Sequence, residues 1–364
     1  MLILGLLLAG AAQAQEPLQL ELSRRVPVTS AESMAMGSAG MAFANGAKGV
    51  FFNPAAPAVR KEHQGKFGLT GVLSLSSALV LTGLEDQRLA ESWVENRLDV
   101  GLAGRYKRVG VGLVITTLQD SSADGQLLFT EGHLTSGVQL RTGALGVGLR
   151  TVSASIQRPG QPDLNYAGVG WQVGYLVTAL DEGVNVGFSY RSRVLAPAMT
   201  ASYDAPDVAV APWEFGFGLS RVFIAPWPKP VPMRLAVDMV FEGPVDDAGA
   251  IENLYVPSNE WVEQGRNLTI SPRMGLEVEV IEHRLRVRSG TWREASRLEQ
   301  LTGNWHGTAG LEMRVIPISV GPWERDLALE FAVDRAAGFT NVNWLTLGFW
   351  ESGQVEGSVR EAEE

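Results

Sequence analysis

The chain contains no cysteine. Disulfide frameworks, thiolate metal sites, cysteine nucleophiles and a lipidated N-terminal cysteine are therefore excluded. Charge is scarce as well: 19% of the residues are Asp, Glu, Lys or Arg, and the formal net charge is -10. That balance disfavours a nucleic-acid partner, because affinity for a phosphate backbone is built from many neutralising cations. Histidine is limited to His63, His133, His283 and His306, with no pair at metal-ligand spacing. No Gly-x-Ser-x-Gly elbow occurs. The strings Gly110-Val111-Gly112 and Gly146-Val147-Gly148 lack the third glycine and following helix of a nucleotide loop, and read as strand glycines. The expectation is a chain without catalytic set, metal or cofactor. Beyond its first residues the chain also lacks any run of about 18 apolar residues, so no transmembrane helix is expected.

What is present has a different texture. Hydrophobic residues make up 45% of the chain, with 41 glycines and 10 tryptophans. Glycine suits turns and places where strands crowd one another, and tryptophan suits the boundary between lipid and water. Residues Met1 to Gly10 form a short apolar run followed by Ala12-Gln13-Ala14, the pattern of a secretory signal cleaved after Ala14. Residues 1–14 are thus expected to be a signal peptide. An exported, apolar, Gly-rich chain without a spanning helix can still cross a membrane as a closed barrel, in which every backbone polar group finds an internal partner.

The body of the chain reads that way. From Gln15 to about residue 64 it is irregular and rich in small residues. From about residue 65 to Trp350 it is a series of alternating segments, and residues 351–364 form an acidic tail. Leu235, Val237, Met239 and Phe241 share one face, opposite Arg234, Ala236, Asp238 and Glu242; Leu327, Leu329, Phe331 and Val333 oppose Asp326, Ala328, Glu330 and Asp334. Alternation alone also fits a soluble sandwich. Connection lengths separate the two. Short turns near Lys107-Arg108, Gly143, Asp181-Glu182, Pro228-Lys229, Glu282-His283 and Pro322 alternate with longer links, as in outer-membrane barrels with short periplasmic turns. The fold expected is all-β: an antiparallel transmembrane barrel of about fourteen strands, with both chain ends periplasmic.

A two-residue turn at Glu282-His283 sets Glu279 across from Arg286 and Glu277 across from Arg288, with the aliphatics gathered on the other face. Lipid-facing Arg or Lys costs about 2–4 kcal/mol at midplane, so the charged face is assigned to the lumen. Arg141 and Arg284 are placed there too. This luminal charge reads either as a selective polar path or as structural ion pairing that fills a barrel and holds a plug. Trp93, Tyr106, Trp171, Trp213, Trp227, Trp292, Trp305, Trp323, Trp344 and Trp350 fall near expected strand ends and read as interfacial girdles.

The irregular segment carries the most specific string: Ser33 to Ala44, rich in Gly, Ala and Met, then Asn45-Gly46-Ala47-Lys48-Gly49-Val50-Phe51-Phe52-Asn53-Pro54-Ala55. It resembles the N-terminal signature of the FadL-type outer-membrane transporter superfamily. The stretch Ser271–Glu277, followed by Arg286–Gly290, is similar to a strand pair near that family's C-terminus. The resemblance implies a bacterial outer-membrane location, a fourteen-stranded barrel with an N-terminal hatch in its lumen (residues 15–64), and passive uptake of hydrophobic, fatty-acid-like molecules. Gly49, Phe51, Phe52, Asn53, Pro54 and Ala55 would be the hatch residues, and outer-membrane lipids and a hydrophobic ligand the partners. Relatives resembling PorV imply an alternative: a barrel that does not transport and docks a protein partner in secretion or surface assembly. Two features depart from the usual pattern. Asn45-Gly46-Ala47-Lys48 stands where the family carries acidic residues, and the loops are modest for a large capture groove.

Overall fold

A computed structural model describes residues 19–22, 30–43, 45–59, 67–81, 92–121, 125–180, 183–200, 206–226, 230–250, 263–265, 267–295, 303–320, 323–336 and 341–349. The expected signal peptide and acidic tail lie outside these residues.

Fourteen strands close into one antiparallel barrel. They are Phe67–Leu81 (β2), Ser92–Tyr106 (β3), Val109–Ser121 (β4), Gln126–Gln139 (β5), Gly143–Gln157 (β6), Leu164–Leu180 (β7), Val184–Arg191 (β8), Glu214–Pro226 (β11), Pro230–Glu242 (β12), Thr269–Ile281 (β15), Leu285–Arg293 (β16), Trp305–Val320 (β17), Trp323–Ala336 (β18) and Asn341–Phe349 (β19). Closure runs through β19 and β2, from Gly348 beside Val72 to Asn341 beside Leu79. No sheet edge is left open, which is the condition for placing strands in lipid. The even count and the alternation of short and long connections stand as expected from sequence.

The period of two decides what each residue faces. On β3, Glu95, Arg97, Asp99, Ala103 and Arg105 are buried in the lumen, whereas Leu98, Val100 and Leu102 are exposed on the outer wall. The same outer band continues through Leu113, Leu134, Leu149, Leu219, Val237, Leu311, Phe331 and Leu347, all exposed. A soluble protein does not leave such a continuous belt in water. Surrounding lipid accounts for it, and the barrel is built to sit in a membrane.

Several expectations are corrected. Residues 19–22 do not lie at the short-turn end. Gln19–Glu21 (β1) pairs in parallel with Val208–Ala211 (β10) and Ala248–Ala250 (β13). These lie in the long connections, with Val194–Pro197 (β9) and Glu263–Gln264 (β14) completing a five-stranded sheet. Regions expected as plain loops thus build a layer of their own. Leu20, Leu22, Val194, Ala196, Ala209 and Ala211 from this sheet form a core with the luminal Leu127, Phe129, Val152, Ile156 and Tyr166 of β5 to β7. Trp292 and Trp344 are buried in the lumen, because each shares the strand face of luminal neighbours (Arg288 and Thr346), and so belong to no girdle. Tyr106, Trp171 and Trp305 are exposed. Trp227, Trp350 and the side chains of Trp93 and Trp323 lie outside the described residues. Arg141 and Arg284 are exposed in turns.

Candidate functional site: the luminal segment

Residues 30–43 and 45–59 lie inside the barrel. Ser30 caps the short helix Ala31–Ala35 (α1), its hydroxyl accepting from the Ser33 amide at 3.2 Å. The helix cannot continue past Met36, because Gly37 and Ser38 turn to positive φ of 62° and 58°. A second helix, Gly46–Val50 (α2), leads through Phe51-Phe52-Asn53-Pro54 into the 3-10 turn Ala56–Ala58. None of these pieces is long enough to be stable alone in water. The wall holds them.

That wall is touched on all fourteen strands. The Ala31 amide donates to Thr346 Oγ1 at 2.8 Å on β19, and the Glu32 amide to Glu330 Oε2 at 3.0 Å on β18. Thr308 of β17 donates to the Ala35 carbonyl at 3.2 Å. Met36 and Gly37 lie against Gly275 of β15 and Gly290 of β16. On β12, one carboxylate oxygen of Asp238 accepts from the amides of Gly40 and Met41 at 2.7 and 2.8 Å. Met41 also covers Gly187 of β8 and Gly216 of β11. The Ala47 amide donates to Thr70 Oγ1 at 2.8 Å on β2, and Val50 packs with Ala103 of β3. Pro57 covers Gly110 of β4, Ala58 meets Gly137 of β5, Pro54 meets Gly146 of β6 and Asn53 meets Gly174 of β7.

Much of this contact is backbone on backbone. A Cβ on Gly146 would lie 2.3 Å from the Pro54 carbonyl, one on Gly187 2.1 Å from the Met41 carbonyl, and one on Gly275 2.3 Å from the Met36 carbonyl. The glycines that read from sequence only as strand glycines form a collar, cut to the shape of the segment inside it.

Asn53 ties the second half to the wall. Its Nδ2 donates to the carbonyls of Phe188 and Tyr175 at 3.0 and 3.2 Å, while its Oδ1 accepts from the Ala55 amide at 3.0 Å. Phe51 and Phe52 meet edge to face at 5.5 Å. Phe51 lies 5.3 Å from the His133 ring, with the Arg191 guanidinium 4.8 Å over its face. Beneath them is a polar layer: Glu131 holds His133 at 2.9 Å and Arg150 at 2.8 Å. Gly49 is buried where the amides of Phe52 and Asn53 return to its carbonyl, at 3.0 and 2.9 Å.

The four charged residues singled out from the β15–β16 hairpin come together in the lumen. Glu277 is paired with Arg288 at 2.7 Å and Glu279 with Arg286 at 3.0 Å. The turn is one residue longer than the two-residue form, and a bulge between Glu279 and Ile281 absorbs the difference, so the facing pairs keep their register. Sequence could not show what else joins them. Arg286 reaches Glu312 at 3.3 Å, Arg288 also binds Glu312, and Arg234 lies 3.2 Å from Glu277. Two members come from the luminal segment: Arg288 lies 3.4 Å from Glu32, and Lys48 binds Glu32 at 2.9 Å and also Glu330. Burial by itself would raise the Glu32 carboxyl. The adjacent Lys48 and Arg288 outweigh it and hold the group well below the usual carboxylate range. The network therefore works as an anchor: it fastens α1 and α2 to one side of the wall through buried and part-buried charges. Among the described residues no group of His, Asp and Glu is arranged to hold a metal.

No protein-family model matches the chain. No curated protein matches it either. Solved structures do. A Pseudomonas aeruginosa FadL homologue superposes with a TM-score of 0.60 at 11% identity, covering 89% of this chain and 98% of its own. The Ralstonia pickettii toluene transporter TbuX gives 0.57 at 13% identity, covering 89% and 97%. The monoaromatic hydrocarbon channel CymD gives 0.55 at 12% identity, covering 91% and 100%. Two of the three are named for passage of small molecules, and none for catalysis.

Proposed function

We propose that this chain, which has the FadL-type outer-membrane transporter fold, carries hydrophobic small molecules passively across the outer membrane and that residues 30–59 gate it. The observation that carries this reading is the contact of one luminal segment with every strand of the barrel. A segment fitted so completely supports the reading of a hatch across the axial path. The named neighbours supply the ligand class: apolar compounds of the toluene or fatty-acid kind.

The two halves of the segment are held unequally. The α1 side is anchored by the buried ion network and by the bonds from Ala31, Glu32, Gly40 and Met41. The side from Val50 to Ala58 is held by the Asn53 hydrogen bonds and by packing on glycine. Neutral hydrogen bonds contribute about 0.5–1.5 kcal/mol each, well below the cost of parting buried charges. Gly49, Phe51, Phe52, Asn53, Pro54 and Ala55 therefore belong to the part that moves, and its displacement would uncover the buried Phe51–Phe52 pair to a ligand. Glu277, Glu279, Arg286 and Arg288 belong to the part that stays.

One observation favours the second reading, a docking subunit for a secreted or surface protein. The β1–β9–β10 layer packs into the luminal faces of β5 to β7, so that side of the upper lumen is filled. One experiment separates the two. The full chain is purified from membranes in detergent, its small molecules and proteins are identified by mass spectrometry, and uptake of a lipophilic probe is measured in vesicles. The transport reading expects a lipid-like ligand and uptake that changes at least several-fold when residues 45–55 are deleted. Absence of any ligand, with uptake indifferent to the deletion, refutes it; a stoichiometric protein partner in its place supports docking.

A further inference from the structure

The outer wall carries a hollow of about 560 Å³ across β18, β19, β2, β3 and β4. From β4 and β18 it takes Thr117, Gln119 and Phe331, which all point outward, so its mouth faces the membrane, while the luminal residues Ser76, Arg97 and Trp344 line its back. Its apolar floor is Leu75, Leu98, Leu345 and Phe331, each exposed. Above the floor, Asn343, Ser77, Asn96 and Gln119 are direct cross-strand neighbours and form one row of uncharged hydrogen-bonding side chains. Small Ser77, at the centre of the row, leaves the dent.

Depth gives the row its meaning. Along β2 the outward positions run Phe67, Leu69, Gly71, Leu73, Leu75 and then Ser77. Ten residues at roughly 3.3 Å each, tilted by about 40°, place Ser77 roughly 25 Å above Phe67, the height of an outer-membrane apolar band. The row therefore lies near the upper edge of that band, with the outward Val94 one step above it. The hollow is continuous with the lipid-facing belt, and its volume falls within the roughly 300–1,000 Å³ of sites that hold an organic ligand. The row presents amides and hydroxyls, so it matches neutral carbonyl and hydroxyl groups; Arg97 also lines the hollow, but its guanidinium is buried on the luminal side, bonded to Asp99 at 3.1 Å.

We propose that this hollow is a binding site for one acyl chain of an outer-leaflet glycolipid, with the chain on the Leu75–Leu98–Leu345 floor. The amide or ester linkage and acyl hydroxyl of that lipid bond to Asn96, Asn343 and Gln119.

The test is native mass spectrometry of the full chain in detergent, with purified lipid A as probe and phosphatidylethanolamine as the competing lipid. Ser77→Phe fills the dent. Asn96→Leu with Asn343→Leu removes the polar contacts and keeps the wall apolar. Ala167→Phe makes a similar change on the outward face of the distant β7. Heat-modifiable gel mobility verifies that each variant is folded. One retained lipid A is expected on the parent chain and on Ala167→Phe, and retention roughly tenfold lower on each of the two hollow variants. No retained lipid A, equal retention in all variants, equal or better retention of phosphatidylethanolamine, or a second copy of the chain on this face would each overturn the proposal.

Discussion

Gly146→Val is expected to unseat the luminal segment while leaving the barrel closed. A Cβ at this position would lie 2.3 Å from the Pro54 carbonyl and from the Ala55 amide, and both sides of the contact are backbone. No flexible side chain can give way, so the strain falls on the more weakly held body, the stretch around Asn53 to Ala58. Overpacking of this kind costs about 1–3 kcal/mol and occasionally more. That is comparable to the few hydrogen bonds holding the stretch. The barrel ladder does not depend on it, since every strand is paired to its neighbours. The variant should keep heat-modifiable mobility and a β-dominated far-UV spectrum. It should also admit a small hydrophilic dye into vesicles about tenfold faster than the parent, on the order of 1.4 kcal/mol of lost closure. Gly307→Val is the matched control, because a Cβ there meets nothing within 4 Å. A tight Gly146→Val barrel would show that the collar is not a seal.

Arg288→Ala is expected to be the most destabilising single change on the wall. Arg288 bonds to Glu277 at 2.7 Å and to Glu312, and lies 3.4 Å from Glu32. Its removal leaves the buried carboxylates of Glu277 and Glu312, and the part-buried Glu32, with fewer cations than they need. Breaking a buried pair by deleting one partner costs about 3–5 kcal/mol, because the remaining charge cannot return to water. The effect should appear as a lower urea midpoint in detergent and as faster proteolysis of residues 30–59. The diagnostic is the double variant Arg288→Met with Glu277→Gln. It removes both charges of one pair and should recover part of the loss, with a coupling of about 0.5–3 kcal/mol. If the double variant is as unstable as the sum of its single changes, these groups do not act as one network.

The wall of this protein was legible in its sequence to an unusual degree, and the reason is geometric. A strand repeats every two residues, so Arg97, Asp99 and Arg105 against Leu98, Val100 and Leu102 reveal two faces before any partner is known. Short turns alternating with long links then give the order of the strands. Even the Glu277–Arg288 facing pair follows from one hairpin. The same rule would have moved Trp292 and Trp344 into the lumen, had it been given precedence over the habit of tryptophan at interfaces.

What stayed hidden is what depends on the closed barrel. Lys48 meets Glu330, a residue 282 positions away, and Gly40 and Met41 meet Asp238 across 198 and 197 positions. No local period encodes such contacts. The strands β1, β9, β10, β13 and β14 run two to four residues, too short for alternation to show. The collar had a signal that could have been used. Gly110, Gly137, Gly146, Gly174, Gly187, Gly275, Gly290 and Gly310 all fall on luminal positions, and glycine there points to a backbone approaching from inside.

Under the proposed function, the stretch ending in Ala58 must move for a ligand to pass. Ala58 Cβ lies 3.1 Å from where a Cβ on Gly137 would be, near disulfide range, and the chain has no cysteine to interfere. The double variant Ala58→Cys with Gly137→Cys, reconstituted in vesicles, is assayed for uptake of a fluorescent fatty acid and of toluene, first oxidised and then reduced. The account predicts uptake at least about tenfold lower in the oxidised protein and restored by reductant, with each single variant unaffected by either treatment. Equal uptake through the tethered and the free barrel would contradict it.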